Sequence, residues 1–422
     1  MSALPRVAVG KLLDDEVLLA VQDGNHGEIH PTVADYVDSG IPFVMASDLN
    51  DNQLDLKRCK FITEGTASGL RKGFARTGDV LLTHKGSLGL TDVVGPIEAP
   101  FLMLTPQVTY YRPDPSRLDS HFLRYVFRSP EFQGQMVSLS REGTRPYIGI
   151  TAQRDLQILM PELDLQRRIA SVLKSYDDLI ATNQQRINLL EEASSRLYRE
   201  WFVHLRFPGH EVVHVVDGVP QGWERKQLSS VAKVNERSIG SKESPDELFY
   251  IDISSVSPGV IQEVTRYDFA DAPGRARRRV AHGDVIWSCV RPNRRSYALV
   301  WEPAEKLVAS TGFAVLSAKA VPFSYLYFAT TTDTFVGYLE ANATGVAYPA
   351  VTAKTFEDAE LLVPDDDTLD AFSQVVLPQL EQMETLKRQN KVLAKARDVL
   401  LPKLMSGQLD VSGIALAELD AA

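Results

Sequence analysis

The amino-acid sequence contains the same succession of patterns twice, about 203 residues apart. This offset separates Pro161 from Pro364 and Leu190 from Leu393. A repeat this long is not that of a solenoid, whose units span about 20–50 residues. Because 422 residues are enough for two to three domains, the sequence predicts two copies of a whole domain, each followed by a long helix.

Short strand-like runs bounded by Gly, Pro and Asp make up the first part of each copy. In the first copy they include GDVLLTHKG and PQVTYYRPD, and in the second LFYIDISSV and GDVIWSCV. A helix-like run follows in both copies, and in the first it is interrupted before Pro130. These patterns predict an α+β fold in each copy, with a twisted, antiparallel β-sheet plus helices.

A heptad pattern of apolar residues then begins in each copy and indicates a long helix of about 40 residues, roughly 60 Å. The predicted seam of the first helix is Leu165, Ile169, Val172, Tyr176, Leu179, Ile187, Leu190, Ser194, Leu197 and Trp201. That of the second is Leu369, Phe372, Val376, Leu380, Met383, Leu386, Asn390, Leu393 and Leu400. Asn183 and Asn390 lie at seam positions, either to fix the register or as tolerated half-exposed polar residues.

Two equivalent helices that cannot bury their seams alone favour an antiparallel coiled coil with pseudo-two-fold symmetry. The alternative is that each long helix packs only on its own domain. The predicted boundaries are residues 1–160 for the first domain, 161–206 for the first spacer helix, 207–222 for a linker, 223–363 for the second domain, 364–408 for the second spacer helix and 409–422 for a C-terminal tail.

The bulk composition limits the function classes. The formal net charge of −10 lowers the expectation of nucleic-acid binding but does not exclude it, because only the docking face must be positive. Two cysteines fit a reducing cytoplasm, and no apolar run is long enough for a membrane span. The sequence lacks a phosphate-binding G-x-x-x-x-G-K-[ST] loop, an H-E-x-x-H metal site and a G-x-S-x-G nucleophile motif. It therefore predicts a chain that is not itself a catalyst and binds no metal.

Three groups of polar residues are candidates for DNA contacts, because Arg and Lys pair with guanine, Asn pairs with adenine, and hydroxyl groups contact phosphates. The loops after the Gly-Asp-Val strands supply Lys85, Ser87, Arg291, Asn293, Arg294 and Arg295. The segments before the spacer helices, which share Gly, Pro, Thr and Tyr, supply Thr144, Arg145, Tyr147, Thr344 and Tyr348. A basic run supplies Arg277, Arg278 and Arg279, which are expected to face phosphates. The alternatives are solvated basic loops and a turn that merely leads into each helix.

The chain resembles the specificity subunits of type I restriction-modification systems. The resemblance rests on the doubled layout, on PELDLQRRIASVL at the start of the first spacer helix (Pro161 to Leu173), and on the linker end Pro220-Gln221-Gly222-Trp223-Glu224. GDVLLTHKGSLG and GVAYPAVTA are similar to segments of the family's target recognition domains. The second spacer helix departs from the pattern, because Asp-Asp-Thr-Leu-Asp stands where Leu-x-x-Gln-Arg is expected.

The resemblance implies two target recognition domains that each read one half of a split, asymmetric site in double-stranded DNA, with the helices as a spacer. It also implies two methyltransferase subunits and motor-nuclease subunits as partners, with S-adenosylmethionine, ATP and Mg²⁺ bound by those partners and no cofactor bound by this chain. Helices of this length would hold two readers about one DNA turn apart, about 34–36 Å. The alternative function is a coiled-coil scaffold whose α+β modules bind protein instead of DNA.

Overall fold

Both long helices are present in the computed structural model, which describes residues 4–26, 29–50, 53–140, 146–240, 243–345, 347–411 and 413. The chain forms two compact units. The first unit comprises residues 1–182 and 389–422, and the second comprises residues 183–388. Each unit therefore holds one α+β domain together with a portion of each long helix.

Among its described residues, the first unit contains two sheets, two strand pairs and five short α-helices. Its strands are β1 (Arg6–Ala8), β2 (Leu18–Asp23), β3 (Tyr36–Val37), β4 (Ile41–Val44), β5 (Leu49–Asn50), β6 (Gln53–Leu54), β7 (Lys60–Ile62), β8 (Phe74–Ala75), β9 (Val80–Thr83), β10 (Thr91–Val93), β11 (Leu102–Leu104), β12 (Val108–Pro113) and β13 (Gln157–Leu159). Its helices are α1 (Val9–Asp14), α2 (Glu64–Ser68), α3 (Ser120–Arg128), α4 (Pro130–Leu139) and α5 (Ile150–Gln153). One sheet has the order β10-β9-β12-β2, and the other has the order β3-β7-β4-β11-β8.

The second unit repeats this construction. Its strands are β14 (Val215–Val216), β15 (Val219–Pro220), β16 (Glu224–Gln227), β17 (Ala232–Val234), β18 (Glu247–Ile251), β19 (Val256–Ser257), β20 (Val260–Ile261), β21 (Thr265–Asp268), β22 (Ala276–Arg279), β23 (Val285–Ser288), β24 (Tyr297–Leu299), β25 (Leu307–Ser310), β26 (Phe313–Ala318) and β27 (Glu360–Val363).

The spacer helices are α6 (Leu163–Tyr198, extended by a π-helical turn to Val203) and α11 (Asp366–Met405). The short helices between them are α7 (Leu228–Val231), α8 (Phe323–Thr330), α9 (Asp333–Ala341) and α10 (Ala353–Glu357).

The strand orders confirm that the sequence repeat corresponds to a repeated sheet topology. The sheet β17-β26-β23-β24 of the second unit corresponds to β2-β12-β9-β10 of the first, and the sheet β21-β18-β25-β22 corresponds to β7-β4-β11-β8. The expectation of purely antiparallel sheets is wrong at one place in each unit, because β4 pairs with β11 and β18 with β25 in parallel. The long connection between the two strands of each pair permits the parallel crossover.

The antiparallel packing of the spacer helices is confirmed within each unit. In the first unit the early residue Asp177 of α6 contacts the late residue Arg397 of α11 at 2.6 Å. In the second unit the late residue Phe202 of the π-turn contacts the early residue Phe372 of α11, with ring centroids 5.0 Å apart. The two helices therefore run in opposite directions wherever they meet.

The predicted seam of α11 is buried from Leu369 to Leu386. In the first half of α6 the predicted seam residue Ile169 is buried, but the rest of the buried face lies one residue further along the chain than predicted. Leu179 is 52% exposed, whereas Gln166, Leu173 and Asp177 are buried. The buried face of α6 includes polar residues, which can be buried because they form hydrogen bonds. A search for apolar residues at heptad spacing does not count them and therefore predicts the adjacent face of the helix as the seam. Asn390 Nδ2 donates to the Ile180 carbonyl oxygen at 3.3 Å, so this seam asparagine does bind across the helix pair.

Candidate DNA interface

The two candidate segments of the first unit form a single structure. Beyond the end of β9, the residues His84–Gly86 pair with Pro146–Ile148 as a short antiparallel ladder, here called the first ladder. Gly86 N donates to the Pro146 carbonyl oxygen at 3.0 Å, and Ile148 N donates to the His84 carbonyl oxygen at 3.0 Å. Lys85 lies opposite Tyr147 between these bonds. The loop after the Gly-Asp-Val strand and the segment before the spacer helix therefore present one continuous surface.

The second unit contains the same arrangement, called the second ladder, between Cys289–Arg291 and Pro349–Val351. Arg291 N donates to the Pro349 carbonyl oxygen at 2.7 Å, and Val351 N donates to the Cys289 carbonyl oxygen at 2.8 Å. Val290 lies opposite Ala350. Ala350 also pairs with Thr344, and their backbones exchange two hydrogen bonds of 2.9 Å.

The matched registers make Lys85 equivalent to Val290 and Tyr147 equivalent to Ala350. Tyr147 and Tyr348, which both precede a spacer helix, therefore occupy positions of the fold that are not equivalent. Each tyrosine nevertheless lies beside a cation of its own ladder: Lys85 Nζ is 5.8 Å from the centre of the Tyr147 ring, and the Arg291 guanidinium is 4.6 Å from that of Tyr348. The backbone frame is shared, and the side chains that it presents differ.

A buried polar network supports the first ladder from below. His84 Nε2 lies 2.9 Å from the Pro106 carbonyl oxygen, which can only accept, so this nitrogen carries the proton. His84 Nδ1 then accepts from Gln153 Nε2 at 2.8 Å, while Thr109 Oγ1 donates to Asp23 at 2.7 Å. Burial lowers the pKa of His84, and the nearby Asp23 opposes this. The neutral imidazole thus positions the strand end that carries Lys85.

The second ladder continues into an outward turn with two candidate readers at its tip. Arg291 and Arg295 have φ angles of 51° and 53°, in the left-handed region, and bracket the 3₁₀ turn Pro292–Arg294. Asn293 and Arg294 are exposed on this turn. Arg295 already forms an ion pair with Asp333. Asn293 and Arg294 are therefore more exposed than Arg295.

The basic run on β22 is largely engaged within the second unit. The Arg277 guanidinium lies 5.0 Å from the centre of the Phe269 ring, and Arg279 forms an ion pair with Glu243. Arg278 is half-buried opposite Ser238. These three residues do not lie on the second ladder, so the structure separates them from the candidate residues Asn293 and Arg294.

The remaining candidates divide between exposed positions and positions outside the described residues. Ser87 is exposed in the loop beside the first ladder, and Thr344 is exposed where it pairs with Ala350. Thr144 and Arg145 lie outside the described residues. Sequence reasoning missed His84, because a scattered histidine gives no signal until the partners that surround it are known.

The Gly-Asp-Val motif that both copies share is structural. Asp79 accepts two hydrogen bonds of 2.7 Å from the Arg112 guanidinium, and Asp284 accepts bonds of 2.7 and 2.9 Å from Arg237. Each carboxylate also accepts a backbone N–H from the residue three positions earlier. The motif therefore clamps the strand that leads to each ladder and does not itself face a ligand.

The first spacer helix is joined to its domain by the glutamine of the Leu-x-x-Gln-Arg pattern. Gln166 is fully buried, accepts from Asp119 N at 3.0 Å and donates to the Pro161 carbonyl oxygen at 2.8 Å. The second helix lacks this residue, and Trp223 Nε1 instead donates to Asp365 at 2.9 Å. The departure from the family pattern therefore corresponds to a different anchor at the second helix.

A buried carboxylate joins the α+β domain of the first unit to both spacer helices. Asp177 on α6 accepts from Arg124 at 2.8 Å, from Arg128 at 3.1 Å and from Arg397 on α11 at 2.6 Å. Tyr125 Oη donates to the same carboxylate at 2.7 Å. Elements from three parts of the chain are thus held by one side chain.

Comparison with known proteins supports the resemblance found in the sequence. A family model of the type I restriction modification DNA specificity domain matches residues 25–192. The resemblance to type I specificity subunits is confirmed. The chain is 22% identical over 395 residues to the type I restriction enzyme MjaIX specificity subunit of Methanocaldococcus jannaschii, covering 90% of this chain and 89% of the relative. It is 21% identical to the HindI specificity subunit of Haemophilus influenzae, covering 74% of this chain and 81% of the relative.

The fold of a type I specificity subunit is also seen in the comparison with solved structures. The chain is similar to the crystal structure of a type I restriction-modification system S subunit from M. genitalium, with a TM-score of 0.56, 13% sequence identity and 95% coverage of each chain. The predicted fold class is thereby confirmed. Among the described residues, no helix is both long and apolar enough to cross a membrane, and no group of three or more His, Cys, Asp or Glu side chains could hold a metal ion.

Proposed function

We propose that this chain is the non-catalytic, sequence-reading subunit of a type I restriction-modification complex in the cytoplasm. Each unit reads one half of a bipartite, asymmetric site in double-stranded DNA. The observation that supports this most strongly is the pair of ladders, which have the same backbone register but different side chains at equivalent positions. A shared frame with unlike side chains is what two readers of different sequences require.

The chemistry of the ladders suits the major groove. Lys85, Asn293 and Arg294 are exposed, and their side chains can contact guanine or adenine edges. The Arg291 guanidinium on the Tyr348 ring is held in a plane from which it can donate to a base edge or to a phosphate. The internal partners of Arg277 and Arg279 make them weaker candidates than the ladder residues, and phosphate contact is the role we propose for them.

The spacer helices offer matched positions for two methyltransferase partners. Leu189 on α6 and Val392 on α11 are separated by the 203-residue repeat, and their side chains are 65% and 68% exposed. Exposed apolar residues at equivalent helix positions suit repeated docking of one kind of partner. We place S-adenosylmethionine, ATP and Mg²⁺ on the methyltransferase and motor-nuclease partners, so this chain supplies sequence reading and assembly alone.

A matched pair of arginine variants tests the DNA interface. Arg294→Ala should weaken DNA binding by the methyltransferase complex and, if Arg294 contacts a phosphate, reduce the slope of log K against log salt by about one. If Arg294 instead reads a base, Arg294→Ala should cost about 1–3 kcal/mol at one position of the site. Arg295→Ala is the control, because Arg295 already has an acidic partner. Fluorescence anisotropy with labelled duplexes at several salt concentrations measures both. Affinity unchanged in Arg294→Ala would instead favour a protein-binding scaffold.

A docking variant and a cofactor assay test the remaining parts of the proposal. Leu189→Glu should lower the methyltransferase content of the complex, measured by native mass spectrometry, whereas the neighbouring exposed Gln185→Glu should not. Equilibrium dialysis of the isolated chain with S-adenosylmethionine should show no binding. Tight binding by the isolated chain would contradict the assignment of that cofactor to the partners.

A further inference from the structure

A cluster of basic side chains lies beside the first ladder. It consists of His26, Arg71 and Lys72 and is here called the basic cluster. Lys72 Nζ lies 2.5 Å from His26 Nε2, and His26 and Arg71 are exposed. In addition to burial, Lys85 and His26 both lower the pKa of the ladder residue His84. Because both groups act on the same imidazole, the basic cluster and the exposed Lys85 occupy neighbouring parts of the surface.

The basic cluster offers several cationic hydrogen-bond donors. Among the described residues, neither Arg71 nor Lys72 forms an ion pair. A lysine ammonium can only donate, so the neutral His26 imidazole accepts the Lys72 bond at Nε2 and carries its proton on Nδ1. The remaining ammonium protons of Lys72, the His26 N–H and the Arg71 guanidinium can therefore donate to a ligand. Cationic donors of this kind bind phosphate.

Two glycines let the segments that carry the cluster pack closely. A Cβ at Gly24 would lie 2.0 Å from the Thr105 carbonyl oxygen, and one at Gly73, whose φ is +91°, would lie 2.8 Å from Asn25 N. Asn25 N donates to the Leu104 carbonyl oxygen at 2.8 Å, and Leu104 N donates to the Gly73 carbonyl oxygen at 2.9 Å. Main-chain bonds therefore hold together the segments on which the basic side chains stand, and the cluster is formed before any ligand binds.

The second unit is built differently at the corresponding positions. Its sheet has the same strand register, which makes His26 equivalent to Ile239, and Ile239 is an apolar side chain that is only 7% exposed. The arginine and lysine of the cluster precede β8, and the basic run lies on its counterpart β22, where Arg279 forms an ion pair with Glu243. The fold itself therefore does not require the basic cluster, and positive charge is more available at this strand in the first unit.

We propose that the basic cluster binds backbone phosphates of the DNA whose half-site the first unit reads. The inference rests on the proposed function. DNA is favoured over an acidic protein because the cluster adjoins Lys85, which we place on the DNA. Phosphate contacts position a protein without reading sequence, so the first unit supplies more of the salt-dependent affinity than the second unit, whose arginines on β22 largely have internal partners.

The test compares the double variant Arg71→Ala/Lys72→Ala, here called the cluster variant, with the wild-type chain in the assembled methyltransferase complex. Fluorescence anisotropy is measured on a duplex that contains the site and on a scrambled duplex, at salt concentrations between about 50 and 200 mM. Each lost phosphate contact should reduce the slope of log K against log salt by about 0.9, so two lost contacts should reduce it by about 1.8. Over this salt range the wild-type affinity should then fall about tenfold more than that of the cluster variant. Both duplexes should be affected equally, because phosphates are common to all sequences.

Arg6→Ala/Lys11→Ala is the matched control. It removes the same number of positive charges from the first unit, but Arg6 and Lys11 already pair with Glu131 and Asp15. The slope should therefore change less than half as much as in the cluster variant. An unchanged slope in the cluster variant, or an equal change in the control, overturns the proposal.

The remaining outcomes separate this inference from the proposed function. An affinity loss confined to the site-containing duplex would show base reading instead of phosphate contact. A loss of methyltransferase subunits in native mass spectrometry, with an unchanged salt slope, would show an acidic protein partner. Both results overturn the inference. If the wild-type complex binds both duplexes equally, the proposed function fails, and the salt slope of the cluster variant still decides whether the cluster binds phosphate.

Discussion

The buried carboxylate of Asp177 should be the most sensitive single side chain of the first unit. Burial alone would raise the pKa of this carboxyl group, but the Arg124 guanidinium, the hydrogen bonds from Arg397 and Tyr125 and the charge of Arg128 together lower it from 3.8 to about 2. A pKa lowered this far on folding contributes roughly 2 kcal/mol of stability at neutral pH. Replacement by Asn also leaves three guanidinium groups without their shared anion.

Breaking a buried ion pair by removing one partner costs about 3–5 kcal/mol, and we expect Asp177→Asn to lower the free energy of unfolding of the first unit by about 3 kcal/mol. For a unit of this size, that corresponds to a fall in Tm of about 6–12 °C. Asp178→Asn is the matched control, because Asp178 is the next residue along α6 and forms only an exposed pair with Lys174. Its loss should cost less than about 1 kcal/mol. Differential scanning calorimetry measures both variants.

The pH dependence of the stability of the first unit provides a second test of the Asp177 interaction. The contribution of Asp177 is present above the pKa of an unfolded aspartate and is lost as pH falls through the folded-state pKa of about 2. The difference in stability between wild type and Asp177→Asn should therefore shrink between about pH 4 and pH 2. Equal Tm values for Asp177→Asn and Asp178→Asn at pH 7 would refute the reasoning.

Two further predictions concern the first ladder and the loop beside it. In thermal denaturation, Gly89→Ala should lower the free energy of unfolding more than Gly86→Ala. Both glycines have positive φ angles, but only at Gly89 would an added Cβ lie 2.1 Å from a side-chain oxygen of Gln133. Burial lowers the pKa of His84, so the unfolded chain binds this proton more readily, and the stability of the first unit should fall as pH drops below about 6.5. His84→Gln should flatten that dependence between pH 7 and 5 in denaturant titrations; an unchanged slope would contradict the buried neutral imidazole.

The duplication, the long helices and the strands that precede the candidate loops could be predicted from the sequence, because each leaves a periodic or repeated pattern. The buried face of α6 was harder to predict. Gln166 and Asp177 are polar, and their burial depends on Asp119, Arg124 and Arg397, which lie far away in the sequence. No local pattern carries that information.

The segments of the candidate site could be predicted from the sequence, but the pairing between these segments could not. Sequence patterns identified the loop containing Arg291 and the segment containing Tyr348 as separate candidates, and the structure joins them through the second ladder. The equivalence of Tyr147 and Ala350 could not be predicted, because it depends on the register of a three-residue ladder. Direct comparison of the two sequences instead favours matching tyrosine with tyrosine.

The central claim is that each unit reads its own half of the DNA site. The most direct measurement is methylome sequencing of a host that carries the complete system, first with the wild-type chain and then with Asn293 and Arg294, on the turn next to the second ladder, both replaced by Ala. We predict that the wild-type site is bipartite, and that the variant relaxes or changes only one half while the other half and the gap stay as they were. A change in both halves, or an unaltered site in the variant, would contradict the account.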